Sequence, residues 1–221
     1  MTMPTFPLLL LALSACAAAS AGPTPAPAPA PGPSPSPSPS PAPAPAVRAD
    51  TGRRGYSPAD VRFLQGMIAH HAQALEMTAL VPERSRRADL RLLAERIGVS
   101  QQSEIAAMQN WLRSRGEQVP CVEPGHQHGG MEHMLMPGMA TPGQMARMAA
   151  ATGPEFDRLF LETMIRHHQG ALTMVAELFA TPGSGQEPEL FRLASDVDAD
   201  QRAEIARMEA LLASSATPLP R

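Results

Sequence analysis

The chain has 221 residues, a formal charge of −3 and only 4% aromatic residues. All of its 18 basic residues are arginine, which excludes Schiff-base catalysis and a phosphate-binding P-loop lysine. The weak negative charge, with no basic block, argues against nucleic acid as a partner, whereas the 14 methionines and 7 histidines stand out.

The N-terminus, residues 1–15, predicts a bacterial lipoprotein signal peptide. Its apolar run is too short to span a bilayer and ends in Leu13-Ser14-Ala15-Cys16. This sequence resembles a lipobox, in which the signal is cut before the cysteine and the thiol is acylated. Cys16 is therefore the predicted lipidation site, and the protein is expected to be exported and lipid-anchored at the outer membrane or the cell surface. An ordinary signal peptide with an incidental cysteine is the alternative.

Residues 16–56 predict a disordered, proline-rich linker behind the lipidated cysteine. Proline occupies every second position from Pro23 to Pro45, a pattern that favours polyproline II over helix or sheet. At about 3.1 Å per residue this spacer would reach roughly 70 Å. Once Cys16 is acylated, Cys121 has no internal disulfide partner, so it is a free thiol, an intermolecular partner or a metal ligand.

The rest of the chain contains an internal repeat. Residues 60–71 (DVRFLQGMIAHH) and 157–168 (DRLFLETMIRHH) share seven identities at one constant offset, and the segments after them also match. Each unit carries two helical patterns. In the first unit, the first helix begins near Ser57-Pro58 and the second helix spans about 87–112. The sequence predicts an all-α, antiparallel four-helix bundle over 57–216, with hairpins at 57–115 and 153–214 and a Met/His-rich loop at 116–152.

Helical periodicity places polar side chains on the stripes that should face the core. These are His70, His71, Gln101, Glu104, His167, His168, Gln201 and Glu204, beside Met67, Met77, Met108, Met164, Met174 and Met208. Buried polar groups need a partner, which must be another side chain, an ion or water. Metal binding is the favoured interpretation, and a polar network with gap-filling methionines is the alternative.

The doubled pattern D-x-x-F-x-x-x-M-I-x-H-H, followed by A-x-x-M, resembles the family called domain of unknown function 305. The resemblance covers 57–212, and residues 136–145 are similar to the segment that usually links its two units. It implies a ferritin-like bundle in an exported bacterial protein, with copper or silver binding in some members. By position it implies the ligand set Met67, His70, His71, Met77, Met164, His167, His168 and Met174.

Thioether and imidazole together are the donors that suit Cu(I) and Ag(I), and imidazole also accepts Cu(II). The candidate bundle ligands are completed by Glu104, Met108, Glu204 and Met208. A di-iron oxidase, the rival on the same fold, needs Glu-x-x-His motifs that the four predicted helices lack.

The loop between the units predicts a secondary soft-metal site. Within 121–139 histidine, methionine and cysteine alternate with glycine and proline, a loop composition with soft-ligand spacing. The candidates are Cys121, His126, His128, Met131, His133, Met134, Met136 and Met139. A solvent-exposed linker without function is the alternative.

The sequence as a whole indicates an envelope protein that binds copper for buffering, tolerance or transfer and catalyses no reaction. Its expected partners are the membrane, through the lipid anchor, and a copper-handling protein. A structural or partner-binding helical module with a metal-free polar core is the alternative from another class. The oligomeric state does not follow from the sequence.

Overall fold

The computed structural model describes residues 55–121 and 136–216, which form five helices and no strand within those ranges. The helices are α1 (Pro58–Arg84), α2 (Ala88–Ser114), α3 (Pro142–Ala150), α4 (Gly153–Ala180) and α5 (Pro188–Ala216). Both ranges belong to one unit, Val47–Arg221. The predicted signal peptide, Cys16 and residues 17–54 of the predicted linker lie outside the described residues. Tyr56, at the end of that predicted linker, instead packs against Trp111 of the bundle. None of the helices described is long and apolar enough to cross a membrane.

The start of α1 confirms the prediction from Ser57-Pro58. Ser57 Oγ accepts a hydrogen bond from the Asp60 amide, and Asp60 Oδ2 accepts one from the Ser57 amide, so the two residues form a capping box. Asp60 Oδ1 also accepts from the amide of Gly185, and the hydroxyls of Ser57 and Ser184 lie 2.8 Å apart. The helix cap therefore also fixes the turn between α4 and α5.

The two hairpins pack as the predicted four-helix bundle. Residues 85–87 join α1 to α2 and residues 181–187 join α4 to α5, and such short connections between helices in contact make each pair antiparallel. Helix α1 packs along α4, and α2 contacts α5 more sparsely. The first helices of the two repeats therefore form the closer interface between the hairpins.

Helix α3 corrects the prediction that 116–152 is a loop throughout. Thr141 Oγ1 accepts from the Gln144 amide and Gln144 Oε1 accepts from the Thr141 amide, with Pro142 at the first helical position. This capping box is visible in the sequence as Thr-Pro-x-Gln, and it was the signal that could have identified the helix. Met148 anchors α3, since its side chain is almost fully buried.

The six candidate bundle methionines are buried, as periodicity predicts, but they do not share one location. Met67, Met108 and Met174 belong to one core cluster, which also contains Trp111. The other cluster contains Met77, Met164 and Met208. Antiparallel packing causes this division, because it sets the beginning of α1 against the end of α4.

Candidate metal centre

His70 on α1 and His167 on α4 meet at the interface between the two repeats. Their ring centroids lie 3.8 Å apart at an interplanar angle of 37°, and both side chains are fully buried. The two residues occupy equivalent positions of the repeat, so the pair lies where the pseudo-twofold relation brings the hairpins together. The predicted inward orientation of both histidines is confirmed.

One ring nitrogen of His70 is hydrogen-bonded and the other is not. Its Nε2 lies 3.0 Å from the carbonyl oxygen of Pro137, and because a carbonyl only accepts, Nε2 carries the proton. The lone pair is then on Nδ1, which is buried without a hydrogen-bond partner. Burial, reinforced by His71 and His168, lowers the pKa of His70 to about 3. The imidazole is therefore neutral near pH 7 and keeps an available lone pair.

His167 is the most unusual polar side chain of the core. Both of its ring nitrogens are buried without a partner. Burial holds the pKa of His167 well below its ordinary value. The neighbouring His70, His168 and His71 act in the same direction, and the backbone of His70 opposes them. Since an unsatisfied buried polar group costs about 1–3 kcal/mol, a neutral ring left in this way calls for an explanation.

The second histidine of each pair is held by a glutamate of its own hairpin. His71 Nε2 lies 2.5 Å from Glu104 Oε2, and His168 Nε2 lies 2.7 Å from Glu204 Oε2. Burial and then His168 lower the pKa of His71 to about 3, whereas burial and then Glu204 raise the pKa of Glu104 to about 7. Glutamate thus orients each ring, and the Nδ1 atoms of both rings remain unpartnered.

The glutamines confirm their predicted burial but do not complete a network. Gln101 and Gln201 are 1% exposed, and the side-chain oxygen of each has no hydrogen-bond partner. The same holds for Glu104 Oε1. The metal-free polar network is therefore present as two His–Glu pairs, while several acceptor atoms around them stay unsatisfied.

The segment 136–140 is bound to the bundle beside His70. A Cβ at Gly170 would lie 1.8 Å from the carbonyl oxygen of Pro137, so only glycine permits this approach. Gly138 has φ 76°, in the left-handed region. Gln73 fixes the end of the segment, donating to the Ala140 carbonyl and accepting from its amide.

Met136 consequently packs against the bundle. A Cβ built on Gly66 would lie 3.3 Å from Met136 Sδ and 3.4 Å from Met174 Cε, so the two methionines converge there. Met139 is half-buried, and Cys121 is an exposed free cysteine. The other loop candidates, His126, His128, Met131, His133 and Met134, lie outside the described residues.

The ligand set implied by the resemblance divides into two groups along the bundle. Met67 and Met174 lie in one core cluster and Met77 and Met164 in the other. Along α1 and α4 the histidines fall between these methionines, so thioether sulfur lies on both sides of the imidazole pairs.

Across 55–121 and 136–216, no three His, Cys, Asp or Glu side chains are grouped so as to hold a metal ion. The donors that the described core offers beside its imidazoles include the sulfurs of buried methionines. Unpartnered neutral imidazole nitrogens among buried thioethers fit a soft cation such as Cu(I) or Ag(I).

The repeat and the bundle agree with comparisons with known proteins. The family model for the domain of unknown function DUF305 matches residues 60–212. The chain belongs to the DUF305 family. No functionally curated protein matches it.

Solved DUF305 structures share the fold of this chain. A DUF305 fragment from Deinococcus radiodurans is 36% identical with a TM-score of 0.62, and the match covers 72% of this chain and 98% of the fragment. A DUF305 protein of Streptomyces coelicolor, presumed to be secreted, is 30% identical with a TM-score of 0.60. The match covers 74% of this chain and 97% of that protein.

CopM is a further similar protein, and several of its solved structures contain metal. The Cu(I)-bound form is 27% identical with a TM-score of 0.55, and the match covers 72% of this chain and 98% of CopM. CopM has also been crystallised in Cu(II)-bound and Ag-bound forms. The DUF305 chain described here thus resembles a protein with bound copper and silver.

Proposed function

We propose that this chain is an exported, lipid-anchored envelope protein that binds Cu(I) or Ag(I) inside its bundle and buffers or transfers copper without catalysing a reaction. The observation that carries the proposal is the set of neutral, buried imidazole nitrogens without hydrogen-bond partners in a methionine-lined core. The metal-bound forms of CopM support it.

His70 and His167 are the first choice of imidazole ligands, because no carboxylate engages them. Met67 and Met164 each precede one of these histidines by one turn and are fully buried. His71 and His168, each oriented by a glutamate, supply further Nδ1 donors. Bound Cu(I) would be a soft acceptor for lone pairs that the protein leaves unsatisfied.

A structural or partner-binding module is the second candidate function. It is favoured by the pairs His71–Glu104 and His168–Glu204, which link the two helices of each hairpin without any metal. The two candidates disagree about the methionine sulfurs, which are ligands in the first and only packing atoms in the second.

The double variant Met67→Leu, Met164→Leu tests this disagreement. Leucine keeps volume and apolarity, so the apo variant should lose less than about 1.5 kcal/mol per site. Ag(I) at about 100 times its dissociation constant should raise the free energy of unfolding of the wild type by roughly 2.7 kcal/mol. The variant should show a much smaller increase. Thermal unfolding with and without Ag(I) measures both effects.

Met148→Leu is the matched control, because Met148 is equally buried in the same core cluster as Met164 but is not a candidate ligand. It should retain the full Ag(I) gain. A wild type that gains nothing from metal would leave the polar network as the function of the core. Equal gains in wild type and double variant would assign ligation to the histidines and packing to the methionines.

A further inference from the structure

A cleft of about 420 Å³ lies between α2 and α5. Its lining includes Ser100, Ser103, Glu104, Asp196 and Asp200, and no basic side chain lines it. Asp196 and Asp200 are exposed and Glu104 is buried, so the aspartates form the rim and the glutamate forms the base.

Glu104 connects the cleft to the histidine centre. It is 8% exposed, its Oε2 contacts His71, and its Oε1 is buried without a partner. A single carboxylate therefore separates a solvent-accessible cavity from a fully buried imidazole. An unsatisfied carboxylate oxygen at the base of an acidic cavity is an acceptor suited to a cation.

The carboxylates around the cleft repel one another. Burial raises the pKa of Asp200, and Glu104, Glu204 and Asp196 add to the increase, with Arg207 opposing it. Mutual repulsion of this kind indicates negative potential, and a cleft lined by one sign of charge concentrates the opposite ion.

The opposite approach to the histidines is covered. On the side of α1 and α4, the Pro137 carbonyl bonds to His70 and the backbone at Pro137 and Gly138 packs directly onto Gly170. His70 and His167 are both fully buried beneath this segment. The acidic cleft lies instead on the side of α2 and α5.

We infer that the cleft between α2 and α5 is the entrance through which a soft monovalent cation, Cu(I) or Ag(I), reaches the histidine centre. Asp196 and Asp200 attract the ion, and the free oxygen of Glu104 receives it beside His71. This inference rests on the proposed function, since it describes how the same centre is loaded.

The charge test uses Asp196→Asn, Asp200→Asn in the intact protein. In a chloride-free buffer of low ionic strength, stopped-flow mixing with silver nitrate follows the fluorescence of Trp111, the only tryptophan. The association rate should fall on the order of tenfold, and the difference should vanish near 0.5 M salt, where charges are screened within about 4–5 Å.

Asp198→Asn, Glu209→Gln is the matched control, because it removes the same charge from α5 outside the cleft. Its association rate should stay close to that of wild type. If both double variants bound Ag(I) equally slowly, the change in rate would be due to net charge alone, and the inference that the cleft is the entrance would be wrong.

A steric test is independent of charge. Ala107 lines the cleft and its exposed neighbour Ala106 does not. Ala107→Phe should slow Ag(I) association at low and high salt alike, while Ala106→Phe should leave the rate unchanged.

Equilibrium binding separates the two proposals. A wild type that binds Ag(I), with rates insensitive to both the charge and the steric variants, would overturn the entrance and leave the proposed function intact. A wild type that binds no Ag(I) at equilibrium would overturn both.

Discussion

His70 and His167 show how far one repeated residue can differ from its copy. Both rings are buried and neutral near pH 7, but His70 is fixed in one tautomer by the Pro137 carbonyl, whereas neither nitrogen of His167 has a partner. The two members of the pair are therefore chemically unequal donors, although the sequence around them is duplicated.

The buried histidines should make the apo-protein sensitive to acid. The pKa values of His70 and His71 fall from 6.5 in the unfolded chain to about 3 in the folded protein. The unfolded chain therefore binds more protons below pH 6.5, and the free energy of unfolding decreases as the pH is lowered. Glu104, raised from 4.5 to about 7, opposes this between pH 4.5 and 7. For His70, His71 and Glu104 together, urea denaturation should show a net loss of about 1 kcal/mol from pH 6 to pH 5, and His167, whose pKa is also lowered by burial, adds to that loss.

Two variants test the sign of each contribution to this pH dependence. His70→Asn removes a group that destabilises the fold when the pH is lowered. The slope of unfolding free energy against pH should therefore become shallower, by an amount that corresponds to about one fewer proton taken up on unfolding. Glu104→Gln removes the opposing group, so the slope should become steeper. A flatter slope in Glu104→Gln would contradict the assigned pKa of Glu104.

At the scale of helices, sequence signals located α1 and α2 well and missed α3. Ser57-Pro58 marked the first cap, and three-and-four spacing marked the second helix, since both signals are local. Helix α3 is not predicted by periodicity, because its nine residues bury only Met148 and its local signal is the capping box at Thr141 and Gln144. Where residues 136–140 lie could not be predicted, because their position depends on contacts with α1 and α4.

The docking of residues 137–138 on α4 predicts an unusual effect of a glycine substitution. Alanine normally stabilises a helix interior by about 1 kcal/mol relative to glycine. At Gly170 the added Cβ would collide with the Pro137 backbone, so Gly170→Ala should instead destabilise the protein by about 1–3 kcal/mol. Urea unfolding of the apo-protein measures the sign.

Gly98→Ala on α2 is the matched control. The nearest atom to a Cβ at Gly98 is Thr78 Oγ1 at 3.8 Å, an ordinary contact, so this variant should be as stable as wild type or more stable. If Gly170→Ala stabilised the protein equally, the segment would not be packed against α4.

At the scale of the whole molecule, duplication allowed both the bundle and its inward-facing residues to be predicted. Periodicity placed His70, His71 and Glu104 on the core stripe, and their burial is confirmed. Periodicity could not show which histidine rings of the two hairpins are in contact. The 3.8 Å separation of the His70 and His167 ring centroids depends on how the hairpins pack together. The division of the methionines into two clusters has the same origin.

The lipid anchor is a prediction for the whole molecule that rests on Leu13-Ser14-Ala15-Cys16. Cys16→Ser should move the protein from the membrane fraction to the soluble fraction, because the acylated thiol would be lost. Cys121→Ser is the control, since Cys121 is an exposed free cysteine in the described part of the chain. Fractionation followed by immunoblotting gives the answer, and unchanged retention of Cys16→Ser would disprove the anchor.

The contacts of residues 136–140 also bear on the origin of the molecule. The hairpin occurs twice but this connection occurs once, and the positions that receive it have diverged between the copies: Gly66 corresponds to Thr163, and Gln73 to Gly170. Two separate hairpins assembled as a homodimer would have had two identical sides around their histidines. A chain that carries both hairpins and a single connection has residues 136–140 on only one side of its histidines, so its two sides differ chemically.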